Sequence, residues 1–223
     1  MGVARITQAK QVSLVSQELS VLELYSVNAT QVLQLPPSLT SLTLHSCRCK
    51  LELKSHSAIR DIRVIGGAVD NTIASLHLAT NLQSLQLTGE DSVILSYLTA
   101  ICPLSLEYLR VYPWTITEDV KAALRNCIEG ASKLRSLDVN GDITAVANIF
   151  KPLPAITRFR LVQFGPRDVS RIFRAVQFPG LVSLSLEDID QHISFSGASI
   201  IATLRNIEAS LSSFTQIEAF LTT

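Results

Sequence analysis

Residues 82–87 of the chain read Leu-Gln-Ser-Leu-Gln-Leu, and this phrase predicts the fold because it recurs along the sequence. Eight copies are present when Ile, Val or Phe is accepted in place of Leu. They begin at Leu19, Leu39, Ile59, Leu82, Leu106, Leu134, Ile156 and Leu181. The starts are separated by 20, 20, 23, 24, 28, 22 and 25 residues. Such a period is typical of a solenoid in which each repeat forms one coil.

The apolar residues within each phrase predict strands. The last two of them alternate with polar residues, as in a strand that buries one face. A single coil cannot bury that face alone, so successive coils must stack into a continuous core. The sequence therefore predicts eight parallel strands that together present a long outer surface.

The phrase resembles the first six positions of the leucine-rich repeat consensus, and the resemblance covers residues 19–190. That consensus continues with Asn or Cys at the ninth position, where only Cys47 fits here. Four other ninth positions are apolar, namely Val27, Trp114, Phe164 and Ile189. We therefore expect these corners, including Trp114, to be filled by core packing. The resemblance implies an α/β solenoid, a right-handed leucine-rich repeat horseshoe with a parallel sheet on its concave face.

The connections between strands predict that the secondary structure on the back of the solenoid changes along the chain. In the first third, a second short alternating segment lies about half a coil from each phrase. These segments are Val12–Leu14, Leu33–Leu35, Leu51–Leu53 and Leu76–Leu78. A coil of 20 residues accommodates two short strands and two turns but no additional full helix. We therefore expect a β or irregular back up to about residue 80.

From residue 90 onward, the connections have helical spacing. One apolar stripe contains Val93, Ile94, Tyr97, Leu98 and Ile101. In the next connection Thr117 is a suitable N-cap, and Gly130 is placed to stop the helix. Further helical patterns follow Pro166 and Ile200. The back of the C-terminal part is thus predicted to be helical.

The repeats run on without a Pro-, Gly- or Ser-rich linker, which predicts one leucine-rich repeat domain over residues 1–223. About eight repeats occupy 19–190, and 1–18 is a partial N-terminal coil. Residues 191–223 are a predicted C-terminal helical cap, because Leu211, Phe214, Ile217 and Phe220 have helical spacing. A partner-binding helix is the alternative for this tail.

Bulk composition restricts the class of partner. The 223 residues include 19 basic and 19 acidic ones, so electrostatics favours neither nucleic acid nor an anionic membrane. No apolar run approaches the ~20 residues that a membrane span requires, so we expect no membrane insertion. The first residues lack a signal-peptide core, and four cysteines make no dense disulfide framework. We expect a cytoplasmic protein, or a secreted one if a native leader has been removed.

Catalytic motifs are not found in the sequence, which contains no Gly-rich phosphate loop, His-Glu-x-x-His or Cys-x-x-Cys. We expect neither enzymatic activity nor a cofactor. The cluster of His45, Cys47, Cys49 and His56 has donors that suit zinc, but buried apolar thiols are the alternative that we favour. We therefore predict no metal site. Cys102 and Cys127 lie in helical patterns and are predicted to be core.

The candidate binding surface lies on the outward face of the predicted front sheet. Ser, Thr and Gln together are the commonest residues at the outward positions of the other coils, whereas coils five to seven group Tyr and Arg side chains, which often dominate binding energy. The predicted binding residues are Tyr108, Arg110, Tyr112, Asp138, Asn140, Arg158 and Arg160. The alternative is a charge ladder of Arg110, Asp138 and Arg160 with tyrosines packed across strands. Exposed ion pairs contribute only ~0–1 kcal/mol, so stability alone is a weak reason for such a ladder.

The sequence thus favours a non-catalytic protein–protein recognition module or scaffold that holds a protein or peptide on its concave face. Two alternatives stay open. One is the substrate-recognition part of a larger intracellular assembly, such as an F-box-type ubiquitin ligase adaptor. The other is a secreted or surface repeat protein of virulence or immune recognition. Fold-level resemblance by itself implies only binding.

Overall fold

The computed structural model describes seven stretches of the chain. They are residues 2–7, 18–53, 58–67, 72–140, 155–162, 181–187 and 216–220. Each of the eight phrases coincides with a strand, and the strands that pair do so in parallel. The chain divides into two compact units, Met1–Lys133 and Leu134–Thr223. The predicted architecture of repeated parallel strands is therefore confirmed within each unit.

Unit 1 combines a front sheet, a back sheet and two helices. In chain order its elements are β1 (Gly2–Thr7), β2 (Leu19–Tyr25), β3 (Asn28–Leu35), β4 (Ser41–Leu53), β5 (Asp61–Gly67), β6 (Thr72–Ala74), β7 (Ser84–Gly89), α1 (Asp91–Ala100), β8 (Tyr108–Pro113) and α2 (Glu118–Gly130). The front sheet has the strand order β1-β2-β4-β5-β7-β8. The back sheet contains β3, the second half of β4, and β6.

The register of the front sheet stacks equivalent positions of successive phrases. Leu42 pairs with Ile62, Ile62 with Leu85, and Leu85 with Leu109. All four side chains are at most 1% exposed. Since outward residues alternate with these, the pairing also aligns the outward side chains of neighbouring coils.

Left-handed corners join the front and back strands of the first coils. The eighth residue of each of the first three phrases, Ser26, Ser46 or Gly66, has φ of 52°, 51° or 58°. A left-handed residue interrupts the alternation of an extended chain. Consequently the seventh residue, such as His45, points outward, and the ninth residue, Cys47, is fully buried.

Substitution of Gly66 by Ala tests this corner. We expect a loss of about 1–2 kcal/mol of unfolding free energy, because a side chain disfavours left-handed φ. The added Cβ would also lie 3.3 Å from Ser46 Oγ. The matched control is Gly2→Ala, since Gly2 does not have positive φ and a Cβ there makes ordinary contacts of 3.7 Å or more. Equal denaturation midpoints for the two variants would contradict the assigned corner.

The back sheet follows the predicted pattern in part. Leu33, Leu35, Leu51 and Leu53 lie on paired back strands and are buried, as predicted. The predicted strand at Leu76–Leu78 is wrong, because this segment forms a 3-10 helix. The third back strand is β6, and Ser75 at φ 64° turns the chain immediately after it. The predicted segment Val12–Leu14 lies outside the described residues.

Both helices predicted in unit 1 are confirmed. The Thr117 side chain accepts a hydrogen bond from the Val120 amide at 3.4 Å and caps α2. Gly130 does not end α2 by a left-handed turn. It is the last helical residue, and a Cβ there would lie 2.8 Å from Pro103 Cγ, so its role is close packing. No helix in the described residues is long and apolar enough to cross a membrane.

Unit 2 contains a second run of parallel strands. They are β9 (Ser136–Asn140), β10 (Arg158–Val162), β11 (Ser183–Glu187) and β12 (Gln216–Phe220), paired in that order. The predicted helical cap is wrong for 216–220, where β12 pairs with β11 in parallel. There Ile217 aligns with Leu184 and Ala219 with Leu186, which extends the strand register. The helical patterns after Pro166 and Ile200 lie outside the described residues.

Candidate binding surface

The outward face of β8 carries a cluster of two tyrosines and one arginine. Tyr108, Arg110 and Tyr112 are half-buried, and the residues between them are buried. The Arg110 guanidinium carbon lies 5.8 Å from the Tyr108 ring centroid and 5.4 Å from that of Tyr112. Cation–π contacts of this kind hold the guanidinium between the two rings. The structure therefore places these three predicted residues together on one strand.

Trp114 belongs to the same outward line, which the sequence prediction missed. We expected it in the core at a ninth position, but its side chain is 65% exposed. The eighth residue of this coil is Pro113, whose ring restricts φ to about −65° and excludes the left-handed corner of the first coils. The alternation of buried and exposed residues therefore continues from buried Pro113 to exposed Trp114. The proline itself was the sequence signal for this exposure.

The opposite end of the front sheet in unit 1 holds a self-contained cluster. Arg5 Nε lies 2.6 Å from Glu23 Oε2, and the Arg5 guanidinium lies 5.5 Å from the Tyr25 ring centroid. Tyr25 in turn stacks on His45 with 5.6 Å between centroids. The hydrogen bond to Glu23 raises the pKa of Arg5. These outward side chains engage one another, which favours a structural role for this end.

The four predicted binding residues of unit 2 differ in exposure. Asp138 and Asn140 lie on β9, and Arg158 and Arg160 lie on β10. Asp138 was expected on the open face, but it is 2% exposed, and its Oδ2 lies 3.6 Å from Arg160 Nη1. A carboxylate tolerates such burial when it is paired. Asp138 thus positions Arg160, as one part of the predicted charge ladder, while Arg158 is exposed.

The cysteines and His45 do not converge on one point. The left-handed Ser46 separates outward His45 from Cys47 and Cys49, which are 0% and 2% exposed. The Cys47 thiol donates a hydrogen bond to the Leu24 carbonyl at 3.2 Å. A hydrogen bond from Cys49 lowers the pKa of Cys47 to about 7 and raises the pKa of Cys49.

Metal-ligating side chains form no group of three or more among the described residues, and His56 lies outside them. Cys127 is buried on α2, as predicted. The prediction for Cys102 is wrong in detail, because this residue follows the end of α1 and is only half-buried.

Comparisons with known proteins do not indicate a family for this chain. No protein-family model matches the chain, and no curated protein matches it significantly.

Proposed function

We propose that the chain is a non-catalytic recognition module of the leucine-rich repeat type, which binds a protein or peptide on the open face of its parallel sheet. Support for the repeat type comes from eight phrases that each form a strand, in parallel register within each unit. The balance of 19 basic and 19 acidic residues favours a protein or peptide over nucleic acid or a membrane. The right-handed winding and horseshoe form that the resemblance implies are part of this proposal.

The observation that carries the proposal is the cluster of Tyr108, Arg110 and Tyr112. Tyr and Arg are enriched among residues that dominate binding energy, because they combine large contact area with directed hydrogen bonds. The core side of β8 is already occupied by buried Leu109 and Val111, so packing of the coil does not require aromatic side chains on the outward side. In unit 2, Asn140, Arg158 and Arg160 are the corresponding candidates.

Affinity capture with the immobilised chain tests the proposal. A captured protein should lose at least about tenfold in affinity when Tyr108, Arg110 and Tyr112 are all replaced by Ala, equivalent to ~1–2 kcal/mol. Circular dichroism should show unchanged folding, since the core side of β8 is untouched. The matched control is Arg125→Ala, which removes an exposed cation from the helix α2.

Two results of the affinity-capture experiment would contradict the proposal. A partner that binds the triple variant as tightly as the original chain is using a different surface. Loss of binding that is equal for the triple variant and for Arg125→Ala would indicate nonspecific electrostatic capture.

A further inference from the structure

On the front face of unit 1, each outward side chain of β7 is shorter than the two that flank it, and this difference in length makes a shallow trough along β7. Its floor consists of the small or unbranched outward side chains of β7, namely Ser84, Gln86 and Thr88. One wall is Asp61, Arg63 and Ile65 of β5, and the other is Tyr108, Arg110 and Tyr112 of β8. Neighbouring strands lie about 4.8 Å apart, so the two walls are separated by about 10 Å. This separation suits one extended polypeptide lying over β7.

The middle level of the trough is cationic on both walls. Arg63 pairs in register with Gln86, and Gln86 with Arg110. Arg63 is exposed and makes no hydrogen bond or ion pair with another residue in the described part of the chain. Arg110 is steadied by the two tyrosine rings. A carboxylate placed between the two guanidinium groups would meet a donor on each wall and the Gln86 amide below.

The rows of side chains on either side of the Arg63–Gln86–Arg110 row differ from each other in polarity. On one side Ile65, Thr88 and Tyr112 align and offer apolar surface. On the other side Asp61 accepts a hydrogen bond from Ser84, while partial burial raises the pKa of this aspartate. A polyanion would meet Asp61 there, whereas a peptide with one acidic residue would avoid it. Because alternate residues of an extended chain share a face, trough-facing residues of a ligand are two positions apart.

We propose that this trough binds an extended segment of a partner protein in which Asp or Glu lies two positions from an aliphatic or aromatic residue. The acidic side chain lies between Arg63 and Arg110, and the apolar one lies over Thr88 between Ile65 and Tyr112. This inference rests on the proposed recognition function and names the chemistry of its partner.

Selection from a random peptide library displayed on phage, with the full chain immobilised, tests this chemistry. Enriched peptides should share an acidic residue two positions from an apolar one. The best peptide, made synthetically, is then measured by fluorescence anisotropy. Arg63→Gln and Arg110→Gln should each weaken its binding on the order of tenfold, as should Gln in place of the acidic residue of the peptide.

Combining the change in the protein with the change in the peptide isolates the contribution of charge pairing to affinity. Arg63→Gln should have little further effect on the peptide that already carries Gln, because the lost contact is the same one. Arg125→Gln on α2 should leave binding unchanged. Trp114 is the only tryptophan of the chain and directly follows β8, so its fluorescence reports binding without a label.

The outcomes separate this inference from the proposed function. Peptides that depend on Tyr112 but tolerate Arg63→Gln would overturn the acidic motif and leave the recognition surface standing. Enrichment of basic or purely apolar peptides, or of none, would likewise overturn the motif, and capture of a protein partner decides the function independently. Tighter, Arg63-dependent binding of a single-stranded oligothymidylate would refute the peptide as the ligand.

Discussion

Truncation of Leu85 or Leu109 to alanine should lower the free energy of unfolding by about 2–5 kcal/mol. Both side chains are 0% exposed, and they pair with each other in register across β7 and β8. Each variant loses buried apolar contact and leaves a cavity that the neighbouring coils fill only in part. Urea denaturation followed by circular dichroism measures the loss.

The matched control for these truncations is Gln86→Ala, one residue from Leu85 on the opposite face of β7. Its side chain is half-buried on the outward side, so the expected change is within about 0.5 kcal/mol. Ser84 is less suitable because it donates a hydrogen bond to Asp61. If Gln86→Ala and Leu85→Ala unfolded at the same urea concentration, the assignment of the two faces would be wrong.

Replacement of Tyr97 by Phe should raise the free energy of unfolding by about 1–3 kcal/mol, because it removes an unsatisfied buried hydroxyl. Tyr97 lies on α1 and is 1% exposed. Its hydroxyl has no hydrogen-bond partner in the part of the chain that the structure describes. Burial raises the pKa of this phenol, which stays protonated. The aromatic ring keeps its packing in the variant.

Tyr25→Phe provides a control of opposite expected sign. The Tyr25 hydroxyl donates a hydrogen bond to Glu23 Oε2 at 3.4 Å on the outer surface, and its removal should be neutral or slightly destabilising. Differential scanning calorimetry compares the two variants. A lower melting temperature for Tyr97→Phe would indicate that the hydroxyl is satisfied, with the nearby thiols of Cys47 and Cys49 as the first partners to examine.

The front strands were predictable because two independent signals coincide in them. Leu85 and Leu87 alternate with polar residues, and the same pair of positions recurs once per coil. The helix α2 was predictable for a similar reason, since the Thr117 cap and the apolar stripe both indicate it. Agreement between a local pattern and the repeat period excludes most other assignments.

Errors arose where only one signal was present. Ile217 and Phe220 lie three residues apart, a spacing that suits a helix, and only pairing with β11 selects the strand there. Leu76 and Leu78 alternate like strand residues, but β6 already occupies the back sheet just before them. Long-range pairing overrides local spacing in both cases.

For the candidate site, the sequence predicted which way the side chains point but not how exposed each one is. Alternation places Tyr108, Arg110 and Tyr112 outward, as the structure does. The same rule places Asp138 outward, yet this residue is covered, because alternation specifies a direction and not what lies above it. The alignment of Arg63 with Gln86 and Arg110 was predictable as well, because the three residues hold the fifth position of successive phrases.

The residue at each corner also affects how easily a coil exposes a new side chain. Serine at Ser26 or Ser46 keeps the following side chain in the interior, whereas proline at Pro113 leaves Trp114 facing solvent. Many serine codons become proline codons by a single base change. A coil can therefore come to expose its ninth residue through a short mutational path that leaves its leucines untouched. Proline grafted at successive corners, each followed by a diversified residue, should yield variants that differ in exposed surface and keep the same leucine core.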